Sequence, residues 1–380
     1  WTLSRGLGDV YKRQDVDIVV VDNAASYDCD EWKSPTTGLT RFVQYDWYQE
    51  LRQYVSSLPS GSYNSNYKSN ATNNDYHATH VMSTAGGQHY GWAREANLYN
   101  FDYINNQIDQ SNNTLIDQGE IMDILRAFHK HKPINATTGR RNPTVTNHSY
   151  GSFFTTLSSA PNQLTSYTSR GVTYNSSSPP LNGWNSVGLS THFNVDRREK
   201  DEPYLNTSLT SDVEDAIADG VVLIGAAGNS NYYQVDSDHP EYNDTATFAY
   251  NNYTSKKLQG INDGYVLSTK KGSSPTANGM IVVGAINQTR YNRRATFSNY
   301  GPGIDLYAPG TFILGAYSRS NSVADAKYGG NNYYRAISGT SMASPQVCGV
   351  AACLASGKER FTQDDMPVSY THLTLPTNCV

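Results

Sequence analysis

Three short apolar runs constrain the fold more than any other feature of this chain. Residues 16–22, 220–229 and 280–286 are dominated by valine, isoleucine, alanine and glycine and show almost no polar alternation. Runs of this length read as buried strands of the sort that a helix-covered parallel sheet requires. Between them, residues 96–103 and 144–149 read as further strands. Residues 115–132 read as an amphipathic helix carrying Ile121, Met122, Ile124, Leu125 and Phe128 on one face, and 211–219 as a second helix. Strands and helices alternate as in an α/β protein, which predicts a three-layer fold: a doubly wound, mostly parallel sheet with helices on both faces.

The chemistry-bearing residues fall where such a sheet presents them. Asp22 closes the first apolar run, at the strand end where open parallel sheets place their ligands. Asn229 closes the second, where a carboxamide is able to donate to a developing oxyanion. Gly339-Thr340-Ser341-Met342-Ala343-Ser344-Pro345 puts a serine where a glycine-led loop turns into a small-residue helix, with Pro345 expected in or near the first turn. A serine hydroxyl is a weak nucleophile without a base and an orienting acid. The stretch Asp75-Tyr76-His77-Ala78-Thr79-His80-Val81 offers the base and Asp22 the acid.

These stretches resemble, in order, the signatures of the subtilisin-like serine proteases, the subtilases (peptidase family S8). Residues 339–345 match GTSMASP at every position, residues around His77 resemble HGTHVAGT, and Ala226-Ala227-Gly228-Asn229 resembles the AAGN strand end. Ser149-Tyr150-Gly151 resembles the S-x-G strand beside the substrate cleft. Thr296-Phe297-Ser298-Asn299-Tyr300-Gly301 and Ala308-Pro309-Gly310 match two further stretches. The resemblance implies a serine endopeptidase in which His77 is the base, Asp22 its orienter and Ser341 the nucleophile. It implies Asn229 in the oxyanion hole and an extended protein or peptide substrate held by Ser149, Tyr150, Gly151, Ala226, Ala227, Gly228 and Thr340. No cofactor is required for that chemistry. An acidic loop with Asp236, Asp238, Glu241 and Asp244 offers oxygen ligands for a structural calcium, with a solvated loop as the plainer expectation.

The chain departs from the family pattern after the aspartate, where Asn23-Ala24 replaces the usual Thr/Ser-Gly, and after the histidine, where Ala78 replaces glycine. The histidine-proline-glutamate that often follows the aspartate is missing. His80 is expected to pack or bond to backbone. His129 and His131 are expected to act as cations suited to a helix C-terminus. Cys348 and Cys353, five apart in one helix, do not share a face and are not expected to bridge.

Asp9-Val10-Tyr11-Lys12-Arg13-Gln14 is what a sequencing-library transposon end encodes, and Val368-Ser369-Tyr370-Thr371-His372-Leu373 is its reverse complement in another frame. Residues 1–14 and 368–380 are therefore expected to be adaptor-derived, framing one catalytic domain over 15–367 that is truncated at both ends. Two polar stretches, about 155–210 and 232–274, read as surface insertions beside the cleft. The formal charge is −5 with no basic run, which gives no support for nucleic-acid binding. No apolar run reaches the length of a membrane span. Residues 128–143 look like insertions in subtilases of tailed bacterial viruses, which raises a virion-associated protein, attached to a larger particle, beside a secreted enzyme of an environmental bacterium. A third reading is an inactive subtilase fold used as a binding module.

Overall fold

The structure, a computed structural model, describes residues 15–58, 76–103, 117–155, 164–175, 177, 192–195, 201–203, 205–248, 265–289, 291–317, 326–327 and 333–366. The two adaptor-like ends and the polar stretch before the histidine helix lie outside them.

At the centre is a six-stranded parallel sheet. Its strands are β1 (Asp17–Asp22), β2 (Asn97–Asp102), β3 (Thr144–His148), β8 (Val221–Ala226), β11 (Ile281–Ile286) and β12 (Leu306–Pro309), in the order β12-β11-β8-β3-β1-β2. Strands β1 and β8 are buried at every residue, as their unbroken apolar sequences require. The chain steps from β1 to β2 in one direction and then back across β1 to β3. Strand order therefore reverses beside β1, and the crevice at the carboxyl ends of β1 and β3 is the topological switch point at which such sheets hold ligands.

Helices α2 (Tyr76–Gly86) and α5 (Thr340–Ala355) pack on each other, and α5 lies along β3, β8, β11 and β12. A second helical group contains α1 (Trp47–Leu51), α3 (Gln118–His131) and α4 (Thr210–Ala218). Helix α3 starts on a reciprocal capping box: the Asp117 side chain accepts from the Glu120 N–H, and the Glu120 side chain accepts from the Asp117 N–H. Pro345 lies in the second turn of α5 rather than the first. Lacking an N–H, it cannot satisfy the carbonyl of Ser341 four residues earlier. The Ser149 hydroxyl takes that carbonyl instead, at 3.2 Å.

The two insertions differ from the expectation of irregular surface loops. Four of their strands form one antiparallel sheet in the order β10-β9-β5-β6, made of β5 (Leu164–Ser169), β6 (Val172–Asn175), β9 (Thr245–Phe248) and β10 (Tyr265–Ser268), while β7 (Asp201–Pro203) pairs separately with β4 (Phe153–Thr155). The acidic loop is also not uniformly solvated. Asp244 is buried and accepts from Ser169 Oγ at 2.6 Å and Arg170 N at 2.8 Å, while Glu241 pairs with Arg170 at 2.6 Å. Lys270, fully buried, donates to the carbonyls of Phe193 and Asn194 and sits 4.7 Å from the Tyr233 ring centroid. The polar composition hid these strands: each insertion folds as its own hairpin, and among the described strands only the β5–β9 pairing joins the two.

Two histidine expectations part ways. His80 is buried with Nε2 between the carbonyls of Ile313 and Arg335, at 2.9 and 3.1 Å, in line with a backbone-bonded role. His129 is not the cation that the helix end suggested. Burial, with Lys132 nearby, lowers its pKa to about 4, and its Nδ1 meets Thr144 Oγ1 at 2.8 Å. His131 stacks on Tyr54 with centroids 3.5 Å apart. Cys29, Cys348 and Cys353 are buried free thiols.

Candidate active site

The carboxyl end of β1 supplies a buried carboxylate. Asp22 receives its neighbour's N–H (Asn23 N, 2.7 Å) and faces His77 Nδ1, which lies 2.9 and 2.8 Å from its two oxygens. Burial by itself pushes the His77 pKa down, but the Asp22 charge and hydrogen bond outweigh it, and the net shift is upward. With Nδ1 committed to the carboxylate, the proton-accepting atom left on the ring is Nε2.

The turn after β1 is pinned from several sides. Asn23 Oδ1 accepts the Ala78 N–H at 3.0 Å, within the first turn of α2. Asn100 Nδ2 donates to the carbonyls of Val20 and Asn23, both at 3.1 Å, and Asn100 Oδ1 accepts from Ala25 N at 2.9 Å. Ser26 N donates to Thr79 Oγ1 at 2.9 Å. The aspartate strand and the histidine helix are thus tied together by side chains on both. Ala78 is buried in an unbroken helix, so the substituted glycine position accommodates the methyl.

Ser341 stands in the first turn of α5 and is joined to Ser149 by two bonds running in opposite directions. Ser341 Oγ donates to the Ser149 carbonyl at 3.3 Å, and Ser149 Oγ donates to the Ser341 carbonyl at 3.2 Å. No hydrogen bond joins Ser341 Oγ to His77 in this arrangement. Ser149 is held further by Asn147 Nδ2 at 2.9 Å and Ser344 Oγ at 3.0 Å. Next to it, buried His148 is neutral, with a pKa lowered to about 3 by burial. Thr146 Oγ1 gives its proton to Val222 O at 3.2 Å, so His148 Nε2–H donates to Thr146 at 3.0 Å and Nδ1 accepts from the Tyr150 hydroxyl at 3.0 Å. Tyr150 also leans on Tyr103, with ring centroids 4.6 Å apart.

Asn229 is exposed at the end of the β8 run, and its Oδ1 accepts from both Thr340 N (2.8 Å) and Thr340 Oγ1 (2.9 Å). That assignment leaves the amide N–H₂ as an oriented donor. Thr340 is itself buried, and its hydroxyl also accepts from Gly228 N at 3.1 Å. Thr340, named from sequence among the substrate-contacting residues, thus also holds Asn229. Ala226 and Ala227 are buried and Gly228 half-buried beside it. Gly151 follows Tyr150 and is half-buried.

Asp22 and His77 are thus brought into direct contact, as are Ser341 with Ser149 and Asn229 with Thr340. Asn23, Asn100, Asn147 and His148 were not singled out from sequence as members of the site. Their roles consist of side-chain hydrogen bonds across elements, which no local pattern announces. Among the described residues no three His, Cys, Asp or Glu side chains gather as a metal site, and no helix is long and apolar enough to cross a membrane.

The subtilase family profile matches residues 42–374, which include His77, Asn229 and Ser341 and begin after Asp22. Subtilisin-like protease 2 of Pseudogymnoascus destructans is 32% identical over 149 residues, 39% of this chain and 26% of that protein. Proteinase R of Parengyodontium album is 46% identical over 82 residues, 21% of this chain and 18% of that protein. The thermophilic serine proteinase of Bacillus sp. (strain AK1) is 46% identical over 77 residues, 20% of this chain and 16% of that protein. The matches thus span about a quarter or less of these relatives' own length. A crystal structure of a cold adapted subtilisin-like serine proteinase aligns over 92% of this chain and 79% of its own, at 21% identity and TM-score 0.49. With the family profile covering most of its length, this chain belongs to the subtilase family.

Proposed function

We propose that the chain is a serine endopeptidase in which Asp22, His77 and Ser341 form the catalytic triad and Asn229 the oxyanion donor. The observation that carries the reading is the Asp22–His77 pairing at 2.8–2.9 Å, on a topological switch point, in a chain that also carries the family's serine-bearing helix start. Asp22 holds the imidazole in the tautomer whose Nε2 is free to accept, and stabilises the imidazolium once it forms. His77 takes the Ser341 proton as Oγ attacks the peptide carbonyl, then hands it to the leaving amine. In the resting arrangement the hydroxyl is parked on Ser149 O, and rotation about its side-chain torsion frees it for the base. The oriented N–H₂ of Asn229 meets the oxyanion. Removing such a donor costs about a hundred- to a thousandfold in turnover, a magnitude known for this same family.

The substrate lies as an extended strand along residues 149–151, with Ala226, Ala227 and Gly228 walling its primary pocket. Thr340 supports Asn229 from beneath. A virion-associated role draws no support from the relatives, which are fungal and bacterial.

The test is labelling with a fluorophosphonate probe and mapping of the adduct by mass spectrometry. Modification of Ser341 that is abolished in His77→Ala supports the triad. A folded protein, judged by circular dichroism, that never labels leaves an inactive subtilase fold as the better reading.

A further inference from the structure

Asn299 lies outside the residues assigned to catalysis and comes from a separate stretch, yet it holds the chain on both sides of Asn229. Its Nδ2 donates to the Ala227 carbonyl at 2.7 Å, two residues before Asn229. Its Oδ1 accepts from Ser230 N at 3.1 Å and Tyr232 N at 2.9 Å, one and three residues after. Its own N–H donates to the Gly228 carbonyl at 3.0 Å. The side chain is buried, so both ends of the carboxamide are satisfied by one loop.

The backbone of that loop has been shaped to admit it. Gly228 adopts φ +103°, a conformation that favours glycine, and a Cβ built there would lie 2.6 Å from Asn299 Nδ2. Backbone pairing already joins the two segments, through Asn231 N to Phe297 O at 2.8 Å and Tyr300 N to Tyr232 O at 2.9 Å. What the side chain adds is a fixed span across the residue that carries the exposed amide. Thr340 fixes the far end of that amide, and Asn299 fixes the backbone from which it projects. Preorganised donors are effective because they need not move as charge develops.

We propose that Asn299 is a positioning residue for the oxyanion donor: it sets the place of the Asn229 carboxamide and thereby transition-state stabilisation, without touching substrate. The proposal rests on the reading of Asn229 given above.

The experiment is a double-mutant cycle in the full chain on a chromogenic peptide substrate. It compares wild type, Asn299→Ala, Asn229→Ala and the double variant, each checked for folding by thermal melting. The expected result for Asn299→Ala is a kcat lowered about tenfold with KM within about twofold, and a matching loss of affinity for a peptide boronate that forms the tetrahedral adduct. In the Asn229→Ala background the same change is expected to lower kcat by less than about twofold, because the group being positioned is gone. Equal losses in both backgrounds, or a loss confined to KM, overturn the proposal while leaving the oxyanion reading intact. A kcat unaffected by Asn229→Ala overturns both. Should Asn299→Ala fail to fold, Asn299→Ser, which keeps a polar group but is too short to span the loop, takes its place in the cycle with the same criteria.

Discussion

Asn23 Oδ1 accepts the Ala78 N–H at 3.0 Å, so two of the positions at which this chain departs from its family's pattern meet each other. One lies at the turn after the aspartate strand and the other in the first turn of the histidine helix. The longer asparagine side chain reaches a helix N–H that has no partner within the helix itself.

Asn23→Ala is therefore expected to destabilise the fold by about 1 kcal/mol, the usual cost of a lost cap. It is also expected to lower kcat several-fold by loosening the Asp22–His77 register. Ala78→Gly keeps the bond and is expected to leave kcat within twofold, with a stability loss of about 1 kcal/mol from helix propensity. Thermal unfolding and steady-state kinetics on both variants decide it. Equal effects on kcat would mean that the bridge is incidental.

The upward shift of His77 has a kinetic sign. A base must be neutral to act, so kcat/KM rises as pH climbs through the His77 pKa, and this acid limb is expected above that of an ordinary histidine. Asp22→Asn removes the charge that raises the pKa. The limb should move to lower pH, and the plateau should fall by about ten-thousandfold as the tautomer is lost. A limb that stays in place in Asp22→Asn would break the assignment. The same shift affects stability in the opposite sense: the stabilisation from the His77–Asp22 pair is present below the unfolded-state pKa and lost as pH rises through the folded one.

Three histidines whose charged form the native state disfavours make acid hostile to the fold. Burial lowers His80 to about 4, His129 to about 4 and His148 to about 3, against 6.5 for an unperturbed ring. Between those limits the unfolded chain binds protons that the native one refuses, so stability falls as pH drops below about 6.5. Each histidine contributes a slope of up to about 1.4 kcal/mol per pH unit. Denaturant titrations of His148→Gln at pH 4.5 to 6.5 should show a shallower slope than wild type. An unchanged slope would mean that His148 does not enter the acid transition.

Lys270 acts at the other end of the scale. Burial is the main cause that lowers its pKa to about 8 from 10.5, so its charged form is disfavoured in the native state. The native state sheds its proton first, and stability is expected to rise between pH 8 and 10.5 by an amount on the order of 3 kcal/mol from this group. Comparing wild type with Lys270→Met isolates the contribution, since the variant lacks the gain. Parallel curves would refute the assignment.

The parallel sheet and the serine helix were legible because their strands are uninterrupted apolar runs and their helix start is spelled out in seven consecutive residues. Observed bounds fall within a residue or two of those read for β1, β3 and β11. The insertion strands were not legible. Tyr167 pairs with Ala246 and Thr168 with Thr245, across nearly eighty residues, and Ser- and Thr-rich segments carry little amphipathic signal without their partners. The site divides in the same way. Asp22, His77, Asn229 and Ser341 announce themselves by residue type and order. The supporting shell of Asn23, Asn100 and Asn299 does not, because an asparagine's role depends on which distant backbone it meets. The charge state of His129 was misjudged for a related reason: sequence placed it at a helix end, whereas burial decides its protonation.

The four-stranded sheet built from both insertions has a consequence for anyone exchanging parts between subtilases. Strand β5 finds its partner β9 in the other insertion, and Asp244 on one side anchors Ser169 and Arg170 on the other. The two segments therefore behave as a single module that happens to be encoded in two places. A chimera that receives one half alone would present a bare strand edge, open to pairing with another molecule, and a buried carboxylate stripped of its donors. Only a transplant of both halves together preserves the module.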